Sequence, residues 1–282
     1  HKKHKNFKTK MKKILSTIII TSVLVIGCKE SATNSTTNYV KDNDIANTIA
    51  TSLGNQSNGL TSNTADFVNL SKNGKMVNIE DKSKDQLQRD TIIHRSGNIN
   101  ENGDIFTWDY ILNASSKFHL SNGSIVEDFQ EGQTQSIDLT LSSTGTYEIP
   151  VLKGNDNIAA TLNISGILPV NSSTIFLGGS YNRNGVVTGK SEGNSFTYNN
   201  SFSLSNIVIS RASKMISSGV GTVKVIGNLT NSQGQSFNDY SYSGVITFLG
   251  NQFANLDITN DKNNVTIKYT INLSKGSAIK RF

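Results

Sequence analysis

Val265-Thr-Ile-Lys-Tyr-Thr-Ile-Asn-Leu273 is apolar at every odd position and polar at every even one. A period of two belongs to an extended strand with one covered and one wetted face. Working outward, the same alternation groups Ile137, Leu139 and Leu141, then Tyr147, Ile149 and Val151, then Ile158, Ala160, Leu162 and Ile164, with Val223 and Val225 later. Gly221 to Leu273 reads as strands joined by SQGQSFND, GNQ and TNDKNN. Asn102-Gly103, Asn122-Gly123 and Asn184-Gly185 supply hairpin turns, because both residue types accept positive φ at little cost. The chain has 2 Pro and little helical periodicity after residue 91, which leaves little room for crossover helices. The expectation is an all-β domain over 91–282, an antiparallel sandwich or broad β-meander of roughly ten to fourteen strands. A division near Val170 to Thr174 is the less favoured arrangement.

Upstream, Val40, Ala46, Ile49, Ala50 and Leu53 fall near helical spacing behind Asp42 and Asn43, which predicts one short helix. Gly54 to Asp90 degrades into Asn/Ser/Gly turns and mixed charge, so 39–90 reads as a short helix followed by linker or peripheral structure. Residues 29–38, KESATNSTTN, hold no large apolar side chain and cannot bury enough surface to offset their ordering entropy, as expected of a flexible tether.

Residues 1–13 carry seven lysines and no acid, and the apolar run Ile14 to Ile26 follows. A basic head and an apolar stretch shorter than a bilayer span describe a secretory signal. The run ends in Leu24-Val25-Ile26-Gly27-Cys28, a small residue directly before the one cysteine of the chain. This resembles the lipobox of bacterial lipoproteins, with Val25 where Leu is commoner. The resemblance implies recognition through Val25, Ile26 and Gly27, cleavage before Cys28, and diacylglycerol and acyl chains on Cys28. The signal then covers 11–27 with Met11 as its start, residues 1–10 are an upstream extension, and 28–38 are the lipidated Cys and tether. Lys29 and Glu30 resemble the charged residues that follow the Cys in surface-exposed lipoproteins of Bacteroidota. The implied location is the bacterial cell envelope, lipid-anchored in the outer membrane.

The formal charge of +6 belongs to that leader. Taking the seven lysines of residues 1–27 from 27 basic residues leaves 20 against 21 acidic ones. No basic field remains to attract phosphates, so nucleic acid is excluded as a partner. One cysteine forms no internal disulfide and founds no zinc module. His94 and His119 stand outside any His-x-x-x-His or His-Glu spacing, and there is no Gly-x-Ser-x-Gly elbow or phosphate loop.

Asn98-Ile-Asn100-Glu-Asn102-Gly103 with Asp109 repeats the oxygen spacing of a calcium loop, with ligands at positions 1, 3, 5 and 12 and Gly at 6. The competing reading is the turn of a hairpin, so weak calcium binding is the one cofactor expectation. Phe106, Trp108 and Tyr110 share one strand face, either as core or as a flat ligand platform for sugars. Asp90-Thr91-Ile92 resembles the short O-glycan acceptor pattern of Bacteroidota envelope proteins, which makes Thr91 the candidate acceptor.

The leading functional expectation is a non-enzymatic binding or structural module, anchored to the membrane through the lipid on Cys28, with an envelope protein or glycan as partner. The alternatives are a glycan-directed hydrolase using converging carboxylates among Asp109, Glu127, Asp128, Glu131 and Asp138, and a lipid or lipoprotein carrier built on an open apolar concavity.

Overall fold

The computed structural model describes residues 42–76, 90–101, 103–189, 195–230 and 236–282. Among the described residues twelve antiparallel strands form one sheet. They are β1 (Asp90–Glu101), β2 (Asp104–Leu120), β3 (Ile125–Val126), β4 (Thr134–Glu148), β5 (Leu152–Ser165), β6 (Thr174–Gly189), β7 (Ser195–Ser210), β8 (Ile216–Thr230), β9 (Ser236–Gly250), β10 (Phe253–Asn260), β11 (Val265–Asn272) and β12 (Ser277–Lys280). Each pairs with the next in chain order, except that the two-residue β3 hangs on β2 beside β4. The meander is therefore the architecture, and no break divides it near residue 170.

The alternation that marks the strands has a physical outcome here. On β5, Ile158, Ala160, Leu162 and Ile164 are buried while Ala159, Thr161 and Asn163 are exposed. Gly103 and the pair Asn122-Gly123 fall at hairpin turns, with both glycines at positive φ. Asn184-Gly185 does not: both lie inside β6. Val151 sits in the β4–β5 turn, about half exposed, rather than on a strand.

Two helices precede the sheet, α1 (Asp42–Leu53) and α2 (Thr64–Asn73), joined through a 3-10 turn, Leu60–Asn63. After residue 53, where the sequence reads as linker or peripheral structure, the chain forms this second helix. Asp42 and Asp44 in the first turn of α1 suit the positive end of the helix dipole. From Ile45 to Leu53 every α1 residue is buried, hydroxyls included. Thr48, Thr51 and Ser52 donate to carbonyls one turn back, at Ile45, Asn47 and Thr48, which meets their hydrogen-bonding needs without water. Gly74, left-handed at φ 71, ends α2 by donating its N–H to Leu70.

The helical pair lies on the covered face and touches both edges of the sheet. Arg95 of β1 donates to Asn63 and Asp66, and the Ala278 N–H of β12 donates to Asn47. β1 reaches α2 and the 3-10 turn while β12 reaches α1, and these two edges do not pair, so the sheet is open and curls around the helical pair. Register shifts between three adjacent strands assist the bend, at Leu177/Gly179 of β6 against β7 and along Ser205–Ile209 of β7 against β8. Ile45, Ile49, Leu53, Phe67 and Val68 fill the concavity against Ile137, Leu162, Tyr181, Val225 and Tyr269 as one core. No helix among the described residues is long and apolar enough to cross a membrane.

Candidate functional site

Cys28, Val25, Ile26 and Gly27 lie outside the described residues. Thr91 is the second residue of the edge strand β1, its Cα opposite Ala114. Asn98 and Asn100 stand on β1, and Asn102 is outside the described residues. The segment folds as a hairpin, in which the Asn100 side chain accepts from the Gly103 N–H. Asp109 lies five residues along β2 from Asp104, about 17 Å at the usual strand rise. It accepts instead from His94 at 2.5 Å across the β1–β2 pair. The calcium reading of Asn98, Asn100, Asn102 and Asp109 is thus corrected: a straight strand cannot wrap an ion. The described residues contain no metal-binding cluster of His, Cys, Asp and Glu.

The platform reading of Phe106, Trp108 and Tyr110 is corrected too. Phe106 and Tyr110 are each 1% exposed and belong to the core. Trp108 packs against that core over Gly97, where an added Cβ would meet its ring at 2.1 Å.

Of the candidate carboxylates, Asp109 and Asp138 are held apart by the register. Asp138 pairs with Lys117, eight residues along β2 from Asp109, or about 27 Å. A glycosidase pair needs about 5–10 Å. Asp138 accepts from Asn163 at 2.9 Å and from His119 at 2.7 Å, which hold its carboxyl below the usual range, Asn163 foremost. Glu127, Asp128 and Glu131 occupy the exposed loop between β3 and β4.

What sequence reading missed lies at the centre of the covered face. One transverse row runs through the paired positions Tyr110, Gly145, Asp156, Gly185, Tyr198, Gly227 and Tyr240. Rings alternate with glycines because the rings lie along the sheet rather than upright. A Cβ on Gly145 would meet Tyr110 at 2.5 Å, and one on Gly227 would meet the Tyr240 hydroxyl at 2.3 Å. From either side the Tyr110 and Tyr198 hydroxyls donate to Asp156, at 2.8 and 2.7 Å. From the next row Arg183 donates its Nε to the same carboxylate at 2.5 Å, both side chains having no solvent exposure. Its Nη1 donates to the Thr51 carbonyl at 2.7 Å and its Nη2 to the Ser57 carbonyl at 3.0 Å. The guanidinium also stacks 4.8 Å from the Tyr147 ring centroid. Burial alone would lower the Arg183 pKa, but Asp156 and the surrounding phenols outweigh it and the net direction is up. Burial raises Tyr110, Tyr147, Tyr181 and Tyr198 well above the ordinary phenol range. The network is a lock that fastens the end of α1 and the loop after it into the concavity. Its sequence signal was a charge in the inward phase of two adjacent strands, with glycines beside it.

The outer face is polar in register. A row through Asn113, Ser142, Ala159, Asn182, Ser201, Lys224, Ser243, Thr259 and Thr266 crosses nine strands. Two open grooves lie on this face. One, of about 670 Å³, is lined by Asn182, Ser201, Ser203, Thr222, Ser243 and Val245 among others. The other, of about 720 Å³, is lined by Asn184, Val186, Thr197, Asn199, Ile226 and Ser241 among others. Between them Asp261 accepts from Lys224, Ser241 and Ser243, at 2.5, 2.6 and 2.9 Å. Burial would raise the Asp261 pKa, but these donors outweigh it and lower it. No family model matches the chain, and neither the curated proteins nor the solved structures contain a significant match to it.

Proposed function

We propose that this chain is a lipid-anchored protein of the bacterial envelope, held on the outer membrane through Cys28, whose β domain is a non-enzymatic binding module for an envelope protein or glycan. The observation that carries the reading is the division of labour between the two faces. Among the described residues the concavity of the covered face is occupied by α1 and α2 and locked by Arg183, which speaks against a carried lipid there. The outer face is broad, polar and grooved, and it is the surface available to a partner. The lipobox at Val25–Cys28 and the polar tether after it support display of that surface at a membrane; two or three acyl chains anchor stably where one does not.

Growing cells with a labelled fatty acid tests the anchor. The expected result is label on the wild-type protein, retention in the membrane fraction, and loss of both in Cys28→Ser. An unlabelled wild-type protein, or label that persists in Cys28→Ser, overturns the proposal.

A further inference from the structure

From the outer grooves we infer that the partner is a neutral glycan, bound across β6 to β10 with its chain running over the strands; this rests on the binding-module reading and names its ligand class. Four observations lead there. The charges that reach the grooves are of both signs and sit side by side: Lys224 is bonded to Asp261, Asp257 is paired with Arg281 and Lys268, and Lys262, which donates to the Asp239 carbonyl at 2.6 Å, lines one groove together with Asp239. A polyanion or a strongly charged peptide finds no field of one sign to hold it.

The lining supplies hydroxyls and amides on a lattice. Ser201, Asn182, Thr222 and Ser243 stand on neighbouring strands about 4.8 Å apart, with rows about 7 Å apart along each strand. Groups of this type donate and accept at once, as sugar hydroxyls do.

Exposed aliphatic side chains interrupt the polar rows inside the grooves. Val186, Ile226 and Val245 are each more than two-fifths exposed. They offer small apolar patches for the C–H faces of sugar rings, too separated to hold an acyl chain. The groove floor consists of interior strands, each hydrogen-bonded on both sides. An extended peptide that seeks free backbone groups has none there to pair with. Each groove volume falls in the range of ligand sites of roughly 300–1,000 Å³.

Affinity electrophoresis of the full chain in mild detergent tests the inference, with β-glucan, xylan, mannan or starch in the gel and polygalacturonate as the anionic comparison. The expected result is retardation by at least one of the neutral polymers, unchanged between low and high salt. Ser201→Trp, which plugs one groove at an outward strand position, weakens it at least tenfold. Thr140→Trp, on the same face outside both grooves, leaves it intact. Retardation by none of the neutral polymers overturns the inference. So does retardation confined to polygalacturonate, or binding unaffected by Ser201→Trp in a chain whose circular dichroism matches the wild type. The fatty-acid label is read independently, so failure of the glycan and failure of the anchor are told apart.

Discussion

Replacing Arg183 with Met removes a buried cation and leaves what it held. Four hydrogen bonds disappear, to Asp156, Thr51, Ser57 and Tyr110. Asp156 keeps its two tyrosine donors but loses its counter-charge, and the Thr51 and Ser57 carbonyls lose the guanidinium donors. Breaking one side of a buried pair costs about 3–5 kcal/mol, a large share of the roughly 5–15 kcal/mol that holds a domain folded. Asp156→Asn costs a similar amount, because it strands the guanidinium, which cannot shed its charge. The double variant Arg183→Met/Asp156→Asn loses less than the sum of the two single losses by about 2 kcal/mol or more, because neither charge is stranded. Urea denaturation followed by Trp108 fluorescence and circular dichroism measures all three. A loss below about 1 kcal/mol for Arg183→Met, or losses that simply add in the double variant, refutes the lock.

Gly185→Ala forces a Cβ to 2.2 Å from the Asn155 carbonyl oxygen and is expected to cost about 1–3 kcal/mol by overpacking. Gly178→Ala on the same strand, whose nearest neighbour is 3.6 Å away, stays within about 0.5 kcal/mol in the same denaturation assay. Asp138 and Asp261 carry carboxyls lowered by their donors, so their contribution is present above the ordinary carboxylate pKa and lost as pH falls below about 4. Acid titration of Asp138→Asn and Asp261→Asn should show a flatter acid limb than wild type; an unchanged limb counts against those pairings. The buried tyrosines are raised by burial, Tyr269 to about 12, so their contribution is complete below about pH 10 and lost above it. Absorbance at 295 nm should therefore rise with loss of the far-ultraviolet signal, and free titration of Tyr110, Tyr147, Tyr181 and Tyr198 in a folded chain would contradict the burial. Calorimetry with millimolar calcium should give no binding heat, since Asp109 is engaged by His94 away from the turn.

The strands were legible because one face is covered and one is wet. Tyr269 and Ile271 point inward, while Lys268 points out, as their alternation predicts. The connections GNQ and TNDKNN fall at the ends of β9 and β10. The Asn184-Gly185 pair misled because turn chemistry is local, whereas Gly185 answers a tertiary demand: Asp156 and Tyr198 are its partners on the neighbouring strands. The helix α2 was hidden by its sparse apolar content, with Phe67, Val68 and Leu70 as its large buried side chains. Its attachment relies on the Arg95–Asp66 pair, which no periodicity reports. Arg183 and Asp156 read in one dimension as charges interrupting two apolar faces; only the diagonal between β5 and β6 makes them a pair. The charge arithmetic removed nucleic acid from consideration, but nothing in a single strand revealed that outward Ser, Thr and Asn positions align across β6 to β10.

The order of strands along the sheet is the order along the chain, yet the helices that fill the curl come first. Asn47 meets Ala278 across 231 residues and Thr61 meets Leu273 across 212. Neighbouring hairpins can zip from local contacts, but closure of the curl is among the longest-range events the chain can undergo, and such contacts make folding slow. A chain emerging N-terminus first presents α1 and α2 long before β11 and β12 exist to complete their seat. During that interval the apolar face of the growing sheet stands open, so the last thirty residues govern how long the chain is vulnerable to aggregation and to proteases.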